Sequence, residues 1–461
     1  MRQSADRQQI FDSLPVPKAV SAMVLPAIIS QIIHVVYNLA DTWFVGLTGD
    51  ANTVAAVSLC LPVYNIMTGL SNLFGVGGAS VIARFLGAGN ADRARRSFAV
   101  ASWAAGAFSL VYAVLLLLFG RGLLLRIGAD AGSIGYAWTY TLVTVILGGL
   151  PTVLAATLSN LIRATGESRR AALGMTLGAV LNIALDPLFM FVILPRGSEV
   201  LGAAIATTLA NVVSLGYFAL YFSRSAEPVF SFAPRLLRHG QRILRDVLSC
   251  GLAGFTMVAL AMVSNCFLNA MIADLGAGAA VAGLGIVRKI DSLAYAVNQG
   301  ITQGMLPLVA YCYASRRVQR MRSVIAFCTV CTVAFSLLCS ALSYVFAPQL
   351  VEVFIRDGTT VAYGAAFLRV LCLAIPIYSA TFVIIAVFQA VGRSVEPFAL
   401  SVLHKGSFDI LLLFLFRKIF GPEHILWATP VMETIALAAA LALLIRLLRA
   451  QKRQSIKEVI R

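Results

Sequence analysis

Charge is what this chain has least of. Only 12% of its 461 residues are Asp, Glu, Lys or Arg, where a soluble domain carries about 25%. Acids are the scarcer sign, 20 against 36 Lys and Arg, with 4 His. So few charges exclude a solvated surface over most of the chain. Catalytic signatures are missing too. There is no HExxH, no pair of aspartates on a loop and no glycine loop able to cradle a phosphate, so an integral-membrane enzyme is not expected. The eight cysteines form no metal or disulfide set: Cys60, Cys266, Cys312, Cys328, Cys331, Cys339 and Cys372 fall inside apolar stretches and Cys250 near a helix start. They read as small buried hydrophobes. A cleaved leader is not expected, because the first dozen residues are polar and the first apolar stretch is too long for a signal-peptide core.

What is present is apolar: 59% of the residues are hydrophobic. Twelve stretches, approximately 16–46, 53–86, 97–119, 132–160, 171–194, 201–223, 243–273, 279–312, 323–347, 360–391, 396–420 and 425–449, are each long enough to cross the ~30 Å hydrocarbon core of a bilayer. Basic residues gather on alternate connections: Arg93, Arg95 and Arg96, then Arg235, Arg238, Arg242 and Arg245, then Arg316, Arg317, Arg320 and Arg322, then the tail after Arg446. The opposite connections hold only Arg121, Arg126, Arg196, Arg356, Arg417 and Lys418. This asymmetry places both termini in the cytoplasm of a multi-pass cell-membrane (inner-membrane) protein. The net charge of +16 then reports topology and lipid headgroups, and no nucleic-acid partner is expected.

The chain repeats itself. Leu47-Thr48-Gly49-Asp50-Ala51 returns loosely as Leu275-Gly276-Ala277-Gly278-Ala279, and Asn160 through Gly166 reads against Ala386 through Gly392, a shift of about 227 residues. The expected fold is therefore all-α, with twelve transmembrane helices in two six-helix lobes related by a pseudo-twofold axis along the membrane normal. The lobes are expected at 1–223 and 246–449, joined by a basic cytoplasmic linker, 224–245, and followed by a basic tail, 450–461.

Each polar residue inside a span asks for a reason, since a charge at the bilayer centre costs about 2.5–3.5 kcal/mol. Gln31, His34, Asn38 and Asp41 follow helical spacing and form one stripe on the first span. On the fifth, Asn182 and Asp186 share a face; the sixth carries Thr207 and Thr208. These oxygens suit a proton or a hard cation such as sodium. The repeat sets Asp41 opposite Leu268 and Asp186 opposite Leu412, so the acids belong to one lobe only. Second-lobe charges, Arg288, Lys289, Asp291, Lys405, Asp409 and Glu433, have no assigned role; Arg288–Asp291 and Lys405–Asp409 are spaced to neutralise each other. Pro26 and Pro187 each free a backbone carbonyl within a span. Phe44, Phe74, Met67, Met175 and Met257 are candidates for a permissive cavity wall or for plain packing.

Four motifs in order resemble a known family. Asn38-Leu39-Ala40-Asp41-Thr42-Trp43-Phe44-Val45-Gly46, Gly77-Gly78-Ala79-Ser80 with Arg84-Phe85-Leu86-Gly87, Asn182 through Phe189 and Gly202 through Thr207 are similar to signatures of the multidrug and toxic compound extrusion (MATE) transporters. The similarity is greatest to the DinF-like prokaryotic branch. It implies a V-shaped pair of lobes exporting organic, often cationic, compounds against a proton or sodium gradient by alternating access, with no other cofactor and as a monomer. It also implies a cation site at Asp41, Asn182, Asp186 and Thr207, supported by Gln31, His34 and Asn38, with the first helix bending at Pro26. A flippase for a lipid-linked saccharide and an exporter of an endogenous metabolite are the alternatives.

Overall fold

The computed structural model describes residues 9–49, 51–195, 197–225, 227–238 and 240–460; the side chains at 51, 52, 275–277, 405, 407 and 450–460 are outside the description. The expectations for the leading residues, for Lys405 and for the basic tail side chains therefore fall on parts that are not described. Every described element is helical: α1 Val16–Gly46, α2 Ala51–Gly87, α3 Ala91–Ile127, α4 Ile134–Thr141 continuing through Leu142–Leu147 and Gly149–Arg163, α5 Ser168–Pro187 continuing into Leu188–Ile193, and α6 Glu199–Arg224. After a short turn of helix, Pro234–Leu237, come α7 Gln241–Ala314, α8 Val318–Val345, α9 Gly358–Leu371 with Ile375–Ala390, α10 Val395–Lys405 with Ser407–Phe420, and α11 Ala428–Ile460. Helical backbone is the only form an open segment can take in lipid, because it satisfies its own N–H and C=O groups.

One difference from expectation is instructive. The seventh and eighth spans form a single uninterrupted 74-residue helical run, α7. Straight, it would measure about 110 Å, several times the hydrocarbon thickness. Yet Gly77 of α2 lies against Val247, and Gly87, about three turns further along α2, lies against Tyr311. The run must therefore double back. Ser264 and Leu268 on one arm share a pocket with Leu284, Val287 and Arg288 on the other, which centres the reversal on 274–278. Counting both arms gives the two six-span lobes. The polar second arm carries Arg288, Lys289, Asp291, Asn298, Gln299 and Gln303, which dilutes its hydropathy. α4 is also irregular: it bends by 49° at the break after Leu147.

Small residues set how closely the helices approach. On α5, Gly174 and Gly178 meet α6 at Phe218 and at Ser214; a Cβ on Gly178 would overlap the Ser214 hydroxyl and stand 2.9 Å from the Ala210 carbonyl oxygen. The same stripe continues with Asn182 and Asp186, so the glycines bring two polar side chains up against α6. Between the lobes, Gly77 of α2 and Gly251 of α7 let two backbones touch, and Gly300 and Gly304 of α7 pack on Ile28 and Val24 of α1. Ser80 donates to the Gln389 carbonyl at 2.5 Å. Phe11, ahead of α1, stacks on Tyr311 at 4.6 Å, and Asp12 pairs with Arg317 at 2.9 Å. These contacts lie in the half of the bundle that carries the basic loops. Outward, α3 exposes Leu110, Val111, Val114, Leu115, Leu117, Leu118 and Phe119, an apolar face suited to lipid.

Gly178→Val is expected to push α5 from α6 and cost about 1–3 kcal/mol of stability. Thermal unfolding of the purified chain in detergent measures it; an unchanged Tm would mean that the two helices do not need this contact.

Candidate cation site and central cavity

The stripe on α5 produces a buried polar cluster in the first lobe. Asn182, Asp186 and Thr207 are all buried, Asp186 with no exposed surface. Asn182 Nδ2 donates to Asp186 Oδ1 and to Thr207 Oγ1, both at 3.2 Å. Thr208 points elsewhere and donates to the Val143 carbonyl at 3.0 Å, so the geometry separates the two adjacent threonines. Directly after Asp186, Pro187 lacks an N–H for the Ile183 carbonyl, and the backbone widens into a π-helical stretch, Leu188–Ile193. A second such stretch, Leu142–Leu147, lies in α4. Widened turns of this kind gather at functional sites.

Asp41 stands beside this trio, within electrostatic reach of Asp186, but no hydrogen bond joins it to them among the described residues. Its Oδ1 is buried with no partner, and the same holds for Asn182 Oδ1 and Asp186 Oδ2. Three buried oxygens from two carboxylates and an amide therefore lack a donor, and such groups are costly unless something binds them. Tyr37, one turn earlier on α1, and Tyr64 and Tyr140 are within electrostatic reach of Asp41; the first span's spacing gave no sign of the last two, which come from α2 and α4. The donor set fits a proton or a hard cation. The remaining stripe residues are arranged differently. His34 packs edge-on against Tyr37 at 4.8 Å, Gln31 is half-buried, and exposed Asn38 spends its amide on the His34 carbonyl at 2.8 Å. Pro26 sits within α1, which continues past it unbroken. Opposite the acids, Leu268 and Leu412 belong to one hydrophobic cluster of the second lobe.

Of the two second-lobe pairs that spacing suggested, Arg288–Asp291 does not form. Asp291 Oδ1 accepts from Tyr378 Oη at 3.0 Å, while Arg288 makes no ion pair with it and leaves Nη2 buried without a partner. Asp409 accepts from Ser264 Oγ, and its pairing with Lys405 lies outside the described side chains. Glu433 Oε2 meets His404 Nδ1 at 2.7 Å, each 1% exposed. Arg288, Asp291, Asp409 and Glu433 line one small cavity of about 130 Å³; Lys289 does not line it.

Between the lobes lies a larger cavity of about 610 Å³. Its wall is rich in amides, Asn65, Asn72, Asn160, Asn265, Gln299, Gln303 and Gln389, with Tyr295, Tyr378 and Phe382 as aromatic surfaces. Asp291 and His404 also line it, and no described Lys or Arg does. Of the five apolar candidates for a cavity wall, only Met257 lines it; Phe74 and Met67 are core residues, and Phe44 and Met175 pack against the core. The amides were legible as polar interruptions of apolar spans, but not as one surface.

The MatE family profile matches residues 26–188 and 254–415, one match in each half of the chain. The chain is 28% identical over 441 residues to the multidrug export protein MepA of Staphylococcus saprophyticus subsp. saprophyticus, spanning 95% of both. It is 27% identical over 450 residues to MepA of Staphylococcus aureus, spanning 98% of both. In fold it is similar to an outward-facing conformation of a multidrug resistance MATE family transporter of the MOP superfamily, with a TM-score of 0.88 at 24% identity over 97% of this chain and 98% of the other. A MATE in the straight conformation superposes with a TM-score of 0.87 at 24% identity, over 96% of this chain and 98% of that one.

A cation held by the unpartnered oxygens stabilises the folded chain, so thermal unfolding is followed as sodium or acid is added. Asn182→Leu and Thr207→Val are expected to remove about 1 kcal/mol or more of the wild-type response, and Thr208→Val to leave it. Equal losses in both threonine variants would take Thr207 out of the site.

Proposed function

The chain belongs to the MatE family, and we propose that it is a multidrug efflux antiporter of the cell membrane, exporting small organic compounds, cationic ones among them, in exchange for protons or sodium. The observation that carries the coupling is the trio of buried, unpartnered oxygens at Asp41, Asn182 and Asp186, in the lobe whose α2 and α4 also wall the central cavity. Thr207 completes the donor set through Asn182. With the basic loops read as cytoplasmic, the lobes are packed together at that end and the cavity belongs to an outward-facing state.

In that state a cation from outside enters the acidic cluster. Neutralising Asp41 or Asp186 changes what Asn182 and Tyr64 can bond, and α1, with no hydrogen bond from Pro26 to the Ala22 carbonyl, bends and displaces the cargo outward. Closing on the outside and parting the glycine-packed seam on the inside releases the cation and readmits cargo. The energetics suffice. One pH unit supplies about 1.36 kcal/mol per proton, which matches about 1.4 kcal/mol for a tenfold cargo gradient, and 100 mV adds about 2.3 kcal/mol for each net positive charge the exchange carries inward. A single chain carries both lobes and the site, so the working unit is a monomer.

Reconstituted in liposomes, the wild type should drive a fluorescent organic cation against its gradient when a proton or a sodium gradient is imposed, and the effective gradient names the ion. Asp41→Asn should lower that uphill flux by about tenfold or more. Full uphill transport in Asp41→Asn would move coupling to another acid; no gradient-driven transport by the wild type would overturn the antiporter reading.

A further inference from the structure

Arg163, at the end of α4, is 3% exposed, and it is buried without an acid. Its Nη1 donates to Asn160 Oδ1 and to Gln303 Oε1, each at 2.8 Å. Its Nε is buried with no partner. No carboxylate pairs with it among the described residues. A guanidinium carries five N–H donors in a planar fork, and a buried one is normally matched by an anion because neutral amides do not offset its desolvation. Further along the same seam part-buried Arg84 also has no described acid, though its nitrogens find partners: Nε donates to the Ser80 carbonyl at 3.3 Å and Nη2 to Cys250 Sγ at 3.4 Å.

Position gives this deficit a meaning. Asn160 and Gln303, the two amides that hold Arg163, both line the central cavity, so the guanidinium sits just beneath its floor. Gln303 belongs to α7 of the second lobe and Asn160 to α4 of the first, so Arg163 bridges the lobes with a neutral acceptor on the far side. We propose that Arg163 is an anion-binding subsite that takes the carboxylate of an aromatic cargo when the lobes part at the basic end.

Parting the seam breaks the Arg163–Gln303 bond. It frees an N–H of Nη1, the nitrogen that shares an edge of the fork with Nη2, at the moment the cavity becomes accessible from that side. A carboxylate accepts bidentately from such an edge, while the ring system of the cargo lies against Tyr295, Tyr378 and Phe382. When the lobes close, Gln303 returns to Arg163 and competes with the cargo carboxylate, freeing it toward the opposite opening. Gln303 thus acts as a built-in substitute for the anion. The cargo class is a carboxylate-bearing aromatic, zwitterionic or monoanionic. This rests on the export reading above and narrows it.

The test uses two dyes that differ only at the carboxyl group, a rhodamine with a free carboxylate and its ethyl ester. Affinities are measured on the purified full chain by dye-induced thermal stabilisation, which needs no transport; initial uptake rates are measured in liposomes. The acid is expected to bind about tenfold or more tighter than the ester, with a correspondingly lower KM. Arg163→Gln should bring the two dyes within about twofold, and Arg163→Lys, which keeps the charge but not the fork, should retain part of the preference. If Arg163→Gln does not fold, Arg163→Lys carries the test and is expected to lower the preference by about threefold or more. Equal binding of both dyes by the wild type, or a preference unchanged in the folded variants, overturns the proposal. Tight acid binding without gradient-driven movement of either dye would strike the export reading and leave the subsite standing.

Discussion

Inside hydrocarbon a backbone must satisfy its own hydrogen bonds, and every other feature of this protein is arranged around that requirement. It makes each described element a helix, and it keeps the backbone helical even through 274–278, where α7 turns back on itself. It also isolates the places where the requirement is hard to meet. Pro187 cannot donate to the Ile183 carbonyl, and the π-helical stretch that follows lies immediately beside buried Asp186. The irregular backbone and the acidic cluster are therefore neighbours along α5, although the widened stretch turns Phe191, Val192 and Ile193 outward and buries Met190.

With the backbone satisfied, polar side chains become the expensive items, and glycine decides where they can be afforded. Gly174 and Gly178 bring α5 onto α6, so that Asn182 and Asp186 on the same stripe meet Thr207. Gly77 and Gly251 bring the two lobes together, so that Arg163 meets Gln303. One packing device serves two ends. Within a lobe it fixes a cluster that leaves oxygens without donors; between lobes it makes a seam bridged by side-chain hydrogen bonds.

The duplicated halves have diverged in what they bury. Where the first lobe holds Asp41 and Asp186, the second holds Leu268 and Leu412 in an apolar cluster. Three acids inside the second lobe are engaged: Asp291 by Tyr378, Asp409 by Ser264 and Glu433 by His404. The lobes share an architecture and differ in which polar atoms remain open.

Much of this was legible in order along the chain. Span positions, the repeat and the charge asymmetry are local or periodic properties, and hydrocarbon thickness converts them directly into topology. The shared face of Asn182 and Asp186 follows from helical spacing alone. Other assignments needed distances that spacing does not encode. Arg288 and Asp291 are correctly spaced on one face, yet Tyr378 from α9 takes the carboxylate. Thr207 and Thr208 are adjacent, and only the crossing of α6 with α5 and α4 tells which one turns to Asn182. The amide wall and the acid-free burial of Arg163 assemble residues from three or more helices. A sequence determines which groups must leave the lipid, because that cost belongs to each residue; only tertiary packing decides which partner each finds, because that depends on where separate helices cross.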